Sequence, residues 1–130
     1  MHTTHARLLS ATMGALALCV LGGCACELLY PGPQMAREDV ARIIGDPKIN
    51  AGLPMAAVLR EVDDHVIGWN VNTVEVMPGA HRVLVDCVVG SQTVRFAINV
   101  NAIAGYRYQT HAEPEIGNRS CANVTLVESR

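Results

Sequence analysis

The fold of this chain is decided by the stretch HRVLVDCVVGSQTVRFAINVNA, residues 81–102. Apolar residues recur at every second position in both of its halves, at Val83, Val85, Cys87 and Val89 and then at Val94, Phe96, Ile98 and Val100. Because successive side chains of a β-strand point to opposite faces, this period of two predicts two strands, each with one buried face. The dipeptide Gly90-Ser91 between the halves predicts a hairpin turn.

Shorter strand-like segments flank this hairpin and are separated by turn residues such as Asp63-Asp64 and Pro78-Gly79. We expect strands near residues 57–62, 66–69, 73–77, 106–111 and 122–128. Residues 35–44 fit either a helical turn or a first strand, and their β-branched residues favour the strand. Six or seven short strands predict an all-β fold, a small antiparallel β-sandwich, with a small barrel as the alternative.

The N-terminal segment, residues 1–23, has the features of a cleaved secretory signal. Its head is weakly basic, and its apolar stretch at 8–21 is shorter than the roughly 20 residues that a membrane span needs. The tetrapeptide Leu21-Gly22-Gly23-Cys24 resembles the lipobox of bacterial lipoproteins. The resemblance implies cleavage between Gly23 and Cys24 and acylation of Cys24 by chains such as palmitate. An ordinary cleaved signal with a chance cysteine is the alternative.

The rest of the chain divides into a short linker and one domain. Residues 24–34 contain Pro31-Gly32-Pro33, which suits neither a helix nor a central strand, and they are interpreted as the lipidated N-terminus and a tether. Residues 35–130 have the length of one small domain. With 10 basic and 12 acidic residues and no basic stripe, the chain is not expected to bind nucleic acid.

The cysteines fit an exported protein. Cys19 lies in the signal and Cys24 is the expected lipid carrier, which leaves Cys26, Cys87 and Cys121. Three thiols can form one disulfide and leave one over, and we predict the pair Cys87–Cys121 because Cys26 lies close to the acylated end. The alternative is that all three stay reduced, with Cys87 packed as a small apolar residue.

The densest group of functional side chains is Asp63, Asp64 and His65, a candidate site for Zn²⁺ or a hard cation. Its spacing matches no zinc or EF-hand signature, so a solvated turn with a neighbouring histidine is the favoured interpretation.

Two further histidines, His81 and His111, are candidates for chemistry. His81 is in phase with Val83 and Val85, which predicts that its ring tucks under the hairpin and hydrogen-bonds to the backbone. A nucleophile pair of Cys87 with His81 or His111 needs an exposed thiolate, and the position of Cys87 on the apolar face argues against it.

Three aromatic residues, Trp69, Tyr106 and Tyr108, are candidates for a platform that binds a sugar ring. A platform needs exposed rings on one face with polar groups nearby. Arg107 alternates with the two tyrosines, so only one side of that strand is aromatic, and core packing is the favoured interpretation.

A family resemblance is carried by VEVMPGAHRVLV at residues 74–85 and by Ala104-Gly105-Tyr106-Arg107-Tyr108. These motifs, with Tyr30-Pro31-Gly32-Pro33, resemble small bacterial envelope lipoproteins, and in form they are similar to PEGA-type β-sandwich modules. The resemblance covers most of residues 24–111 and departs from the pattern at 99–104 and at Ser120-Cys121. It implies a fold and a location and brings no catalytic residues or cofactor.

Together these features predict a membrane-anchored envelope lipoprotein without catalytic activity. Its sandwich would be presented to an envelope protein or a cell-wall glycan. In the lipoprotein family, Ala25 rather than Asp after the cysteine implies the outer membrane, with the domain facing the periplasm. The alternative is a metal- or small-ligand-binding periplasmic lipoprotein.

Overall fold

The computed structural model describes residues 25–47, 54–117 and 119–130, and this part is built almost entirely of β-strands. The predicted signal segment, the cleavage site and Cys24 lie outside the described residues. Among the described residues no helix has the length and apolar character of a membrane span. The strands are β1 (Ala25–Leu28), β2 (Ala41–Ile44), β3 (Ala56–Val62), β4 (His65–Val66), β5 (Val71–Val76), β6 (Gly79–Val89), β7 (Gln92–Ala102), β8 (Arg107–Pro114) and β9 (Cys121–Ser129).

The strands form two sheets, which confirms the predicted all-β sandwich. Sheet A has the strand order β1-β5-β2-β8-β9, and sheet B has the order β4-β3-β6-β7. The sandwich is not purely antiparallel as predicted, since β1 runs parallel to β5 and β2 runs parallel to β8. The described strands also outnumber the predicted six or seven: β1 comes from a segment interpreted as tether, and β2 comes from the ambiguous segment 35–44.

The β6–β7 hairpin forms as its alternation predicts. Gly90 adopts a φ of 58°, which the two-residue turn requires, and Val89 pairs with Gln92 across it. Val83, Val85 and Cys87 are fully buried between the sheets. Val94 was expected to point inward but is 38% exposed, because β7 is the edge strand of sheet B and the other sheet covers it only in part.

The predicted disulfide between Cys87 and Cys121 is present and joins β6 of sheet B to β9 of sheet A. The two Cα atoms are 6.4 Å apart, and both side chains are buried. Cys26 takes no part in this bond.

The two sheets are also tied together just after β2. The Asp46 backbone N–H donates to the Ala57 carbonyl at 2.9 Å, and the Ala57 N–H donates to Asp46 Oδ2 at 2.8 Å. The Thr110 hydroxyl donates to the same Ala57 carbonyl at 2.9 Å. These bonds satisfy buried polar groups at the junction of the sheets.

The segment predicted to be a tether belongs to the domain from Ala25 onward. Ala25–Leu28 is strand β1, and the Leu29 N–H extends its pairing by donating to the Glu75 carbonyl at 2.9 Å. The Tyr30 side chain is buried and donates a hydrogen bond to Glu75 Oε1 at 3.0 Å. The tether prediction was wrong for these residues because prolines and glycines indicate only local turns. They carry no information about pairing with residues far along the chain.

The ambiguous segment 35–44 contains both of the considered elements. Arg37–Asp39 forms one turn of 3₁₀ helix, and the predicted strand follows it as β2. Ala41 and Ile43 face the core, so Arg42 and Ile44 lie on the outer face of sheet A.

Candidate functional site

The candidate site starts from a row of polar residues across the outer face of sheet A. In the register of this sheet, Glu75 of β5 pairs with Arg42 of β2, Arg42 pairs with Arg107 of β8, and Arg107 pairs with Ser129 of β9. The buried neighbours of Arg42 and Arg107, Ile43 and Tyr108, fill the opposite face. The strand period therefore places Arg42 and Arg107 side by side on the outer face.

Two more arginines reach the same place from elements that are distant in sequence. The 3₁₀ turn brings in Arg37, and β9 leads to Arg130, whose guanidinium carbon lies 5.7 Å from the centre of the Tyr106 ring. Together Arg37, Val40, Arg42, Gly105, Tyr106, Arg107 and Arg130 line a pocket of about 310 Å³. We call it the arginine pocket. Its volume lies at the lower end of the range for small-molecule sites.

Backbone hydrogen bonds hold the floor of the arginine pocket in place. The Gly105 N–H donates to the Val40 carbonyl at 2.8 Å, and the Arg42 N–H donates to the Tyr106 carbonyl at 3.1 Å. Gly105 adopts a φ of +83°, a conformation that L side chains rarely adopt. The loop before β8 is thus fixed against β2, so the arginines project from a rigid base.

The arginine pocket carries more positive than negative charge. Glu75 Oε2 lies 3.1 Å from Arg42 Nη2, and Arg42 Nε is buried without an acceptor among the described residues. In the described part of the chain, Arg37, Arg107 and Arg130 have no carboxylate within ion-pair distance. Like charges placed opposite each other on neighbouring strands destabilise a sheet. A bound anion would relieve the repulsion between Arg42 and Arg107.

Guanidinium groups suit this role because they stay charged and present several N–H donors in one plane. They recognise carboxylate and phosphate groups through paired hydrogen bonds. Glu38 lies beside Gly105 at the rim, but within the described chain it forms no ion pair with these arginines. The arrangement is therefore suited to binding an acidic group.

The sequence-predicted metal residues are not brought together. Asp63 and Asp64 form the two-residue turn between β3 and β4, with positive φ values of 50° and 66°. Asp64 points into solvent, Asp63 bonds to His81, and His65 Nε2 lies 2.7 Å from Glu27 Oε1. Among the described residues, no group of three histidines, cysteines or acids is placed to hold a metal ion.

His81 has the structural role that its phase predicts. Its Nε2 lies 2.6 Å from the Met77 carbonyl oxygen, and its Nδ1 lies 2.5 Å from Asp63 Oδ2. Burial raises the pKa of Asp63, but the hydrogen bonds from His81 and from the Arg82 N–H lower it by more. The pKa of Asp63 therefore lies below its ordinary value. The considered nucleophile pair is ruled out by the disulfide at Cys87.

The three aromatic candidates lie in three different environments and form no common platform. Tyr108 is buried, and its hydroxyl accepts a hydrogen bond from the Ile103 N–H at 2.9 Å. Tyr106 lines the arginine pocket, whereas Trp69 is 75% exposed near the opposite end of the sandwich. The prediction of core packing was therefore correct for Tyr108 and wrong for Trp69.

Sequence reasoning missed the arginine pocket. Arg37, Arg42, Arg107 and Arg130 each look like an ordinary surface charge in the sequence. Only the parallel pairing of β2 with β8 places Arg42 beside Arg107. The usable signal was the arginine between two aromatic residues at Tyr106-Arg107-Tyr108, which marked one wall of the pocket.

Comparisons with known proteins give no further guide to this site: no protein-family model, no curated protein sequence and no solved structure matches the chain.

Proposed function

We propose that this chain is a lipid-anchored, non-catalytic binding domain of the bacterial cell envelope, and that its arginine pocket takes an acidic group of an envelope partner. The lipobox-like tetrapeptide Leu21-Gly22-Gly23-Cys24 supports the anchor. One observation carries the binding activity: Arg107 is the register partner of Arg42, so two guanidinium groups lie side by side, and Glu75 forms an ion pair with Arg42.

The proposed location is the outer membrane, with the domain facing the periplasm. Ala25 after the cysteine supports it by resemblance to lipoprotein sorting signals. The proposed partner is an envelope protein or a cell-wall glycan, since both classes carry the carboxylates that guanidinium groups recognise. Binding of this kind uses the pocket as it stands and needs no cofactor.

The anchor is tested by the intact mass of the protein extracted from its native membrane. We expect a chain that begins at Cys24 and carries acyl mass. A Cys24→Ser variant should lack that mass and leave the membrane fraction. A mature chain that starts elsewhere, or that carries no lipid, overturns the anchor.

The arginine pocket is tested by titrating the protein with inorganic phosphate while following its backbone amide signals by NMR. Shifts should cluster at Gly105, Tyr106 and Arg107 and should weaken at high salt. Arg107→Gln should reduce the affinity about tenfold, since a hydrogen bond to a charged group contributes about 1.5 kcal/mol or more.

The matched control is Arg82→Gln, which removes the same charge from an exposed side chain on sheet B. It should leave the affinity for phosphate unchanged. Equal losses in Arg107→Gln and Arg82→Gln would show that phosphate responds only to net charge and would overturn the pocket. Acidic peptides and acidic glycan fragments in the same titration then separate the two partner classes.

A further inference from the structure

A turn at the start of β5 lies beside the point where the proposed lipid anchor joins the domain. Ala25, the first residue of β1, is the register partner of Val71, the first residue of β5. One peptide bond joins Ala25 to Cys24, so their Cα atoms are about 3.8 Å apart. Acyl chains on Cys24 would therefore leave the domain next to Val71 and the turn before it.

This turn exposes the largest apolar side chain of the protein. The Val71 N–H donates to the Gly68 carbonyl at 3.0 Å, and the turn that this bond closes presents Trp69 with 75% of its surface exposed. Val66, just before the turn, is 69% exposed. We call residues 66–71 the tryptophan turn.

The tryptophan turn is fixed to the domain rather than hanging from it. Ile67 is buried, and its N–H donates to the Arg60 carbonyl at 2.8 Å. His65 Nε2 lies 2.7 Å from Glu27 Oε1, a contact that joins β4 of sheet B to β1 of sheet A. The exposed tryptophan is therefore held at a set position relative to the first residue of β1.

The tryptophan turn and the arginine pocket lie at opposite ends of sheet A. Val71 begins β5 beside Ala25, whereas Glu75, near the other end of β5, is in register with Arg42 of the pocket. Strands rise about 3.3 Å per residue, so four residues separate the two ends by about 13 Å. A membrane beside Ala25 would leave the arginine pocket at the end of sheet A that is remote from the lipid.

We propose that the tryptophan turn is a membrane-contacting surface, and that Trp69 enters the interfacial layer of the bilayer that holds the acyl chains of Cys24. The inference rests on the proposed lipid anchor. Tryptophan favours this layer because its ring is apolar while its N–H still finds polar partners. The anchor leaves no spacer before β1, so Trp69 meets the lipid surface at a high effective concentration.

A fluorescence experiment tests this contact directly, because Trp69 is the single tryptophan of the chain. The acylated protein, with its lipid confirmed by intact mass, is reconstituted into phosphatidylcholine vesicles with or without bromine on the upper acyl carbons. We expect a blue-shifted emission that brominated lipid quenches. The unacylated Cys24→Ser protein with the same vesicles should keep a solvent-like emission.

The matched control moves the fluorophore to the other end of the domain. Trp69→Phe combined with Tyr106→Trp places the single tryptophan at the arginine pocket, where brominated lipid should not quench it. Equal quenching in both proteins would show that the domain has no fixed orientation and would overturn the proposal.

The remaining outcomes separate this inference from the proposed function. Confirmed acylation with a solvent-like Trp69 overturns the membrane contact and leaves the anchor standing. A blue shift without quenching means that Trp69 packs against protein, such as a second copy of the chain. That outcome also overturns the membrane contact. A protein without acyl mass overturns the anchor itself, and the contact falls with it.

Discussion

Glu75 and Arg42 form an ion pair across strands β5 and β2, with 3.1 Å between Glu75 Oε2 and Arg42 Nη2. The Glu75 side chain is 1% exposed and also accepts hydrogen bonds from the Tyr30 hydroxyl and from Gln34 Nε2, both at 3.0 Å. Burial raises the pKa of Tyr30 above its ordinary value; the hydrogen bond from the Met35 N–H opposes this shift, and Glu75 adds to it. One carboxylate thus joins the wall of the arginine pocket to the chain that follows β1.

Replacing Glu75 should destabilise the domain strongly. Glu75→Ala leaves the Arg42 guanidinium, the Tyr30 hydroxyl and the Gln34 amide without their acceptor, and breaking a buried pair in this way costs about 3 kcal/mol. Urea unfolding measures the loss. Glu113→Ala, at an exposed position of β8, is the control and should change the free energy of unfolding by about 0.5 kcal/mol or less. Similar losses in both variants would contradict the role of the pair.

The contacts of Glu75 also show which features of the fold could not be predicted from the sequence. The β6–β7 hairpin and the role of His81 follow from alternation and turn residues, which are local. Burial of Tyr30 depends on Glu75, 45 positions away, and nothing near Pro31 or Gly32 indicates it. Local signals therefore predicted the class of fold but not the strand that β1 adds to it.

The arginine pocket could not be predicted from the sequence for a related reason. It needs β2 beside β8, a parallel pairing between strands with many residues between them. A hairpin register can be read from its turn, but such a pairing depends on how the whole sandwich packs. The candidate metal residues show the converse limit, because Asp63 and Asp64, neighbours in sequence at a turn with positive φ, do not share a partner side chain.

Removing the Cys87–Cys121 disulfide should lower stability by about 4 kcal/mol. The bond closes a loop with a sequence separation of 34, and the loop-entropy relation gives that value for such a loop. The variant replaces both cysteines with alanine, so no lone thiol remains, and urea unfolding compares it with the parent protein. Adding reductant should lower the stability of the parent much more than that of the variant. No difference between the two in oxidising buffer would contradict the prediction.

Asp86 should make the domain sensitive to acid. Burial alone raises the pKa of Asp86, but hydrogen bonds from Arg95 and Arg60, at 2.8 and 2.9 Å, outweigh it and hold that pKa below its ordinary value. A carboxylate with a depressed folded-state pKa stabilises the fold above its unfolded pKa of about 3.9, and this contribution is lost as the pH falls through the folded pKa. The loss should therefore begin below about pH 4.

The variant Asp86→Asn tests this assignment. At neutral pH it should be less stable by about 1 kcal/mol, a modest value because Arg60 and Arg95 are 38% and 55% exposed and solvent screens the pair. Its stability should also fall less steeply below about pH 4, with Asp63 accounting for part of the remaining slope. Asp64→Asn, at a side chain 92% exposed, is the control for neutral pH. An unchanged acid profile in Asp86→Asn would sink the assignment.

Gly45 should tolerate no side chain, because it lies directly against β3 of the other sheet. A Cβ at Gly45 would lie 2.8 Å from both the Cβ and the backbone nitrogen of Leu59, which is fully buried in β3. The Gly45 N–H also donates to the Asn72 carbonyl at 2.7 Å, so the glycine cannot move away without losing that bond. Overpacking against backbone should make Gly45→Ala less stable by about 2 kcal/mol.

Gly68→Ala is the matched control for this substitution. A Cβ at Gly68 would meet its nearest atoms, in Asn70 and Val71, at 3.5 Å, an ordinary van der Waals distance. Gly68→Ala should therefore stay within about 0.5 kcal/mol of the parent protein in urea unfolding. If Gly45→Ala were equally mild, β2 and β3 would have to be able to move apart at this point. The reciprocal hydrogen bonds between Asp46 and Ala57, next to Gly45, oppose that movement.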